Sequence, residues 1–354
     1  MNYIHEKLDL LGSTFKTVLE SFKEDYEEKI NSQITVRTFD WFQGVGLYGF
    51  YKLYKLTNQK KYLNILIDYY EKQISYGLPP ITVNSTAPLL TLTFLNQELK
   101  NPKYDEIILD WADRLYNDLP RAINGAFNHV TSELENENQL WDDTLMMTVL
   151  FLAKVGIVYK KDEYVEDAIY QFLEHSKYLV DTSTDLWFHG FNVAERHHYG
   201  GVLWGRGNSW ITIFIPEFLE ILGEYYLMPS IKRYIIQMLN NQIKALAKYQ
   251  DEAGMWHTVI DDVSSYLESS ATAGFSYGIL KSVRKGFIDK EYETIGLKGL
   301  EKVIENINDQ GILENVSGGT RMGMSKDFYK DIPIKEEPFG QAMAMLALIE
   351  GLLH

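Results

Sequence analysis

The sequence predicts an all-α protein whose helices form an (α/α)6 barrel, and three observations carry that expectation. Helical hydrophobic periodicity runs through the whole chain, with no convincing series of alternating β segments. The helices are of two kinds. One is amphipathic and charged, as in Lys61-Tyr62-Leu63-Asn64-Ile65-Leu66-Ile67-Asp68, and such a helix buries one stripe and shows water the other. The other is apolar nearly all round and rich in small residues, as in Gly44-Val45-Gly46-Leu47-Tyr48-Gly49 and Ala342-Met343-Ala344-Met345, and such a helix is surrounded by protein. Finally, the charged helices open on similar words: Gln59-Lys60-Lys61-Tyr62, Asn101-Pro102-Lys103-Tyr104, Lys161-Asp162-Glu163-Tyr164 and Asp289-Lys290-Glu291-Tyr292. Each word follows an apolar helix and a short turn, so the repeating unit is a hairpin of an inner and an outer helix, and about six fit the length.

In order, the spacing predicts helices over 2–29, 43–56, 61–76, 86–98, 103–118, 142–158, 162–179, 207–225, 230–249, 267–284, 290–308 and 339–352. Short extended pieces are expected near 254–259 and 311–313. The unusual residues precede the apolar helices: Asp40-Trp41, Trp141-Asp142-Asp143, Trp204-Gly205-Arg206-Gly207-Asn208-Ser209-Trp210, Glu268-Ser269-Ser270 and Glu336-Glu337. If all inner helices run the same way, these segments meet at one end of a closed ring and line a single pocket. An open solenoid would spread its binding residues along a groove. The long links 119–140, 180–206 and 309–338 fit pocket-side loops, since long ordered loops are usually functional.

At 354 residues and 45% hydrophobic, the chain can bury a large core, and it is read as a single domain over 1–354. Aromatics at 14% suit a sugar-binding cleft as well as a core rich in Tyr and Phe. A net charge of −15 disfavours nucleic acid, although a local Arg can still gather an anionic small substrate. With no cysteine, disulfides and thiolate metal sites are excluded. The N-terminus lacks a cationic start followed by an apolar block, and no apolar run reaches transmembrane length. A soluble cytoplasmic protein is the expectation.

The chemistry centres on Gln139-Leu140-Trp141-Asp142-Asp143-Thr144, directly before the apolar run from Leu145 to Val158. An Asp at a helix start can cap it and face its positive dipole end, but two exceed what one cap requires. A carboxyl buried beside Trp141 has a raised pKa and serves as a general acid/base; spacing does not choose between Asp142 and Asp143. Arg206 lies between glycines and two tryptophans, Trp204 and Trp210, where a guanidinium can pair with a carboxylate through two parallel hydrogen bonds. His189 is balanced between substrate contact and an ordinary loop role, and for His129 the structural role is preferred. No metal, phosphate-loop or Ser-His-Asp signature stands out.

Leu140-Trp141-Asp142-Asp143-Thr144-Leu145-Met146-Met147, with Phe151-Leu152-Ala153, resembles the catalytic stretch of unsaturated rhamnogalacturonyl hydrolases, glycoside hydrolase family 105. Trp204-Gly205-Arg206-Gly207-Asn208-Ser209-Trp210 resembles their Trp-x-Arg-Gly-Asn-x-Trp stretch, and Leu186-Trp187-Phe188-His189-Gly190 and Glu268-Ser269-Ser270-Ala271-Thr272-Ala273 are also similar. The resemblance runs from about Trp41 to the C-terminus. It implies an (α/α)6 barrel without metal or cofactor that removes a terminal 4,5-unsaturated uronic acid from oligosaccharides left by a lyase. It implies that Asp143 protonates the double bond and activates water, and that His189, Trp204, Arg206 and Trp210 bind the sugar. Trp41 and Trp141 join them as expected binding residues. The family often has a second Asp where this chain has Asn84, so the sugar contact there, or the tuning of Asp143, differs.

Other readings of the same ring are an inverting hydrolase with Glu268 as its second carboxylate, an epimerase leaning on His189, or a non-enzymatic scaffold with an open groove.

Overall fold

The computed structural model describes residues 2–21 and 39–354. Its helices are α1 (Asn2–Ser21), α2 (Trp41–Thr57), α3 (Lys60–Tyr76), α4 (Val83–Leu99), α5 (Pro102–Asp118), α6 (Leu150–Tyr159), α7 (Asp162–Leu179), α8 (Gly205–Tyr226), α9 (Pro229–Tyr249), α10 (Ser269–Arg284), α11 (Glu293–Glu305), the short α12 (Lys326–Lys330) and α13 (Pro338–Gly351). Two short antiparallel pairs join the loops: β1 (Gln139–Trp141) with β2 (Gly190–Asn192), and β3 (Val316–Ser317) with β4 (Ile334–Lys335).

The ring closes. Helices α2, α4, α6, α8, α10 and α13 each pack on the next, and α13 returns to α2. Outside them α3 lies on α2, α5 on α4 and α6, α7 on α6, α9 on α8, α11 on α10 and α13, and α1 on α13 and α2. This is the (α/α)6 barrel read from the sequence; the closed ring rules out the open-groove scaffold. The two helix kinds fall where expected. Helix α10 is buried from Ser269 to Ser282 and α13 from Phe339 to Glu350, whereas α3 buries only Tyr62, Leu66, Tyr69, Tyr70 and Gln73.

The repeated words have a local cause. Asn58, Lys100 and Lys160 end α2, α4 and α6 in the left-handed conformation, with φ of 56°, 52° and 56°. Each N–H bonds back to the carbonyl of Tyr54, Asn96 or Gly156, which turns the chain sharply outwards into the next helix.

Several expectations change in detail. Of the helix read over 2–29, the part to Ser21 is present, and 22–29 lies outside the described residues. Helix α4 begins earlier than expected, because Thr82 and Ser85 cap its first turn reciprocally. The helix read over 290–308 opens as a separate 3₁₀ turn, Lys290–Tyr292. The extended pieces appear as isolated bridges, Trp204 with Val259, His257 with Leu267 and Ile307 with Leu313. Among the described residues no helix is long and apolar enough to cross a membrane.

Inner helices pack closely where glycines recur. A Cβ on Gly278 of α10 would lie 2.1 Å from the carbonyl oxygen of Thr212 on α8, and one on Gly44 of α2 would lie 2.7 Å from the carbonyl carbon of Ala87 on α4. At the end where the inner helices finish, Glu217 is buried and accepts from Tyr48, Tyr277 and Lys281, with Lys52 at 3.0 Å. These contacts tie α2, α8 and α10 together. Gly278→Ala is expected to cost about 3 kcal/mol, since backbone must move to admit the methyl; a lowered melting temperature by calorimetry checks this.

Candidate active site

A cleft of about 550 Å³ opens at the end of the ring where the inner helices begin. Trp41 enters it from the start of α2, Asn84 from the first turn of α4, Asp143 from just before α6, and Arg206 and Trp210 from the first turns of α8. Trp141 and Trp204 line it as well, which leaves His189 as the one member of the expected set outside the lining, and the loops around 131–136 and 319–324 form the outer walls. Trp41 packs against Phe339 with ring centroids 4.9 Å apart and meets Trp210 nearly edge-on at 5.9 Å. Indole surface is thus held at the cleft by ring packing.

The Asp pair is delivered by β1. Trp141 pairs with Gly190 across the two strands, and the Asp142 N–H donates to the His189 carbonyl at 3.0 Å. The chain then enters α6 through a π-helical turn, Leu145–Val149, in which the Leu150 N–H reaches the Leu145 carbonyl. The α-helix expected over 142–158 therefore starts later, at Leu150. Such turns commonly mark functional positions. Neither Asp caps the helix: both carboxylate oxygens of Asp142 and Oδ1 of Asp143 lack a hydrogen-bond partner.

The two carboxyls face different surroundings. Asp143 lines the cleft with its side chain 17% exposed, and its Oδ1 is 3.3 Å from Nδ1 of His129. His129 in turn stacks on Trp141 at 4.1 Å with planes 4° apart, and its Nδ1 is 2.8 Å from the Thr144 hydroxyl. Burial raises the Asp143 pKa, and the neighbouring His129, backbone N–H groups and Arg206 oppose this less strongly. Burial lowers the pKa of His129, so the imidazole is favoured as neutral. Burial thus favours the protonated form of Asp143 and the neutral form of His129, and in that form Asp143 is an acid facing the cleft.

Asp142 is fully buried and does not line the cleft. It lies against the first turn of α8: a Cβ on Gly207 would sit 2.1 Å from its Oδ2. Burial and then the charge of Asp143 raise its pKa well above the usual carboxylate range. The second glycine of the Trp-Gly-Arg-Gly word therefore makes room for a carboxyl rather than for a ligand.

Arg206 also differs from expectation. Its guanidinium is buried between Trp204 and Phe339, with ring centroids 4.8 and 4.6 Å from Cζ. Its Nη1 donates to the carbonyl and hydroxyl of Ser317, and its Nη2 to the Gly318 carbonyl and the Thr320 hydroxyl. Those terminal N–H groups hold a loop, which leaves no free pair for the two-pronged carboxylate contact read from the sequence.

His189 does not line the cleft. It is buried behind the wall, its ring 5.3 Å from Trp141 and 4.3 Å from Trp204, and its Nδ1 is 2.6 Å from the Tyr329 hydroxyl. It packs against those indoles, its Nε2 has no hydrogen-bond partner, and the structure does not bring it into the cleft lining with the other expected binding residues. Glu268 is buried and caps α10, accepting from the backbone of Ser270, Ala271 and Ser317. It does not line the cleft, so it is not placed to serve as the second carboxylate of an inverting hydrolase.

Sequence reasoning preferred a structural role for His129, placed Arg321 only within the expected pocket-side link 309–338, and assigned no role to Gln139 or Tyr199; all four line the cleft. His129 stood in a loop already marked as functional, but its stack on Trp141 exists only after folding. Among the described residues no group of three His, Asp or Glu side chains converges to hold a metal ion.

The burial of Asp142 has a thermodynamic sign. Its folded-state pKa is raised, so stability falls as pH rises from the unfolded value of about 3.9 through the folded one. Asp142→Asn is therefore expected to raise the melting temperature at pH 7, with the gain vanishing below about pH 4; melting curves across pH test this. Gly207→Ala, which drives a methyl into that carboxyl, is expected to lower both stability and activity, and Asp142→Ala in the same chain to restore part of the stability.

With the geometry in view, comparisons place the chain among known proteins. A model of Glycosyl Hydrolase Family 88 matches residues 14–353. The unsaturated rhamnogalacturonyl hydrolase YesR of Bacillus subtilis (strain 168) is 32% identical over 338 residues, spanning 92% of this chain and 96% of that protein. The crystal structure of a possible member of the GH105 family from Klebsiella pneumoniae superposes with a TM-score of 0.87 at 44% identity, over 89% of this chain and 82% of that one. Its counterpart from Salmonella enterica gives 0.87 at 46%, over 89% and 83%. The chain is a glycoside hydrolase that belongs to Glycosyl Hydrolase Family 88 as that model describes it, in the family 105 group that its Asp-pair and Trp-Gly-Arg-Gly-Asn words resemble.

Proposed function

We propose that this enzyme removes a terminal 4,5-unsaturated uronic acid from lyase-generated oligosaccharides of the rhamnogalacturonan type, with Asp143 as the acid and base. The observation that carries this is the setting of Asp143: a carboxyl with a raised pKa, beside His129 and lining a cleft walled by indoles. Glu133, the other carboxylate lining that cleft, is exposed in the 131–136 loop and offers no buried partner for a two-carboxylate glycosidase. The printed activity of YesR, an unsaturated rhamnogalacturonyl hydrolase, supports the substrate.

In this reading the Asp143 carboxyl gives its proton to C4 of the enol ether, and positive charge develops at C5 and the ring oxygen. The resulting carboxylate takes a proton from water as the water oxygen bonds to C5. The hemiketal so formed breaks its bond between C5 and the ring oxygen, leaving a ketone at C5 and a hemiacetal at C1. That hemiacetal expels the leaving sugar as an alcohol and becomes an aldehyde. One water is consumed, and Asp143 ends protonated. Trp41, Trp141, Trp204 and Trp210 offer faces to the sugar, and Asn84 offers a neutral amide that both donates and accepts. Arg206 contributes by holding the 317–320 loop. The proposal includes a cytoplasmic location and no nucleic-acid partner; the net charge of −15 supports the latter.

The test follows the ultraviolet absorbance of the conjugated double bond with unsaturated disaccharides made by pectin lyases. Wild type is expected to bleach it and Asp143→Asn to slow this by about 10²–10⁴-fold. Because Asp143 must be protonated to act, kcat/KM is expected to fall as pH rises through its raised pKa. A panel of unsaturated uronides left untouched would sink the reading.

A further inference from the structure

The Arg206 contacts raise a question about charge. The proposed substrate is anionic, yet the buried guanidinium of Arg206 is taken up by Ser317, Gly318 and Thr320. The other cation lining the cleft is Arg321. It is exposed, and among the described residues it makes no hydrogen bond, ion pair or ring contact, not even with Glu133 of the facing loop. Its backbone, by contrast, is anchored on both sides. Thr320 is held by Arg206, and the Gly323 N–H donates to the Tyr329 hydroxyl at 3.0 Å. A pinned backbone carrying an unpartnered guanidinium is a preorganised place for a carboxylate.

Apolar side chains surround it. Leu134 and Met324 line the cleft while 59% and 70% exposed, and Met322 lines it beside them. Met322 is seated against Gly190, where a Cβ would lie 2.1 Å from its Cε. Exposed apolar groups in a carbohydrate cleft match a sugar face without hydroxyls, such as the methyl group of a 6-deoxyhexose.

Resting on the function proposed above, we propose that Arg321 of the 319–324 loop forms a subsite beyond the leaving deoxyhexose for a second uronic acid, whose carboxylate pairs with its guanidinium. The enzyme then prefers lyase products longer than a disaccharide. A polymer in which deoxyhexose and uronic acid alternate supplies this order of groups.

The experiment measures kcat/KM on two substrates, the unsaturated uronate–deoxyhexose disaccharide and the trisaccharide that carries a further uronate. For wild type the ratio of trisaccharide to disaccharide is expected to be about fivefold, the size of a partly exposed Arg–carboxylate pair. It should shrink as salt rises. In Arg321→Ala, or with the second uronate methyl-esterified, the ratio is expected to fall to about one, and Arg321→Lys to retain part of it. A wild-type ratio of one overturns the subsite, as does a ratio that survives in Arg321→Ala, including the case where that variant loses both activities in parallel. Turnover of neither substrate by wild type would instead overturn the proposed function, and the subsite with it.

Discussion

The constraint on which the structure depends is that a helix buried on every side has nowhere along its length to place a charge without a partner. Six such helices close around the barrel axis, and between their ends the packing admits little but apolar and small side chains. Polar chemistry is therefore concentrated at the two ends of the ring. At one end, Glu217, Lys281, Lys52 and two tyrosine hydroxyls satisfy one another. At the other, the groups are left partly unsatisfied: Asp142 and Asp143 have oxygens without partners. The first arrangement holds the barrel together, and the second holds carboxyls whose protonated form burial favours.

Adjacent aspartates acquire separate roles because adjacent residues face different surroundings. Asp143 meets the cleft and His129, whereas Asp142 meets the first turn of α8 and is sealed from water. Both pKa values rise by burial, but Asp143 alone of the two is placed to pass its proton to a ligand. Gly207 links the Asp-pair word and the Trp-Gly-Arg-Gly word physically, since the absent Cβ is what lets the Asp142 carboxyl approach α8.

Arginine shows a similar division. Arg206 sits at the centre of the most recognisable word, yet its terminal N–H groups build the wall of the cleft rather than meeting a ligand. Its sandwich between Trp204 and Phe339 exploits the planar guanidinium, which a lysine would not reproduce. Arg321, in the 309–338 link expected at the pocket side, is the exposed cation that this wall presents.

By itself the sequence determined the helix content, the alternation of inner and outer helices, and the end of the ring at which the site forms. Those properties are local: periodicity sets which face is buried, and the left-handed caps at Asn58, Lys100 and Lys160 repeat the same turn. It also brought Trp41, Asn84, Trp141, Asp143, Trp204, Arg206 and Trp210 to one cleft, because all precede or begin inner helices. Tertiary structure alone decided which aspartate faces the cleft, that His129 stacks on Trp141, that His189 stands behind the wall, and that Glu268 is a cap. Each of these depends on a strand pairing or a loop crossing between residues distant in the chain, and no spacing along one helix encodes which side chain such a crossing will meet.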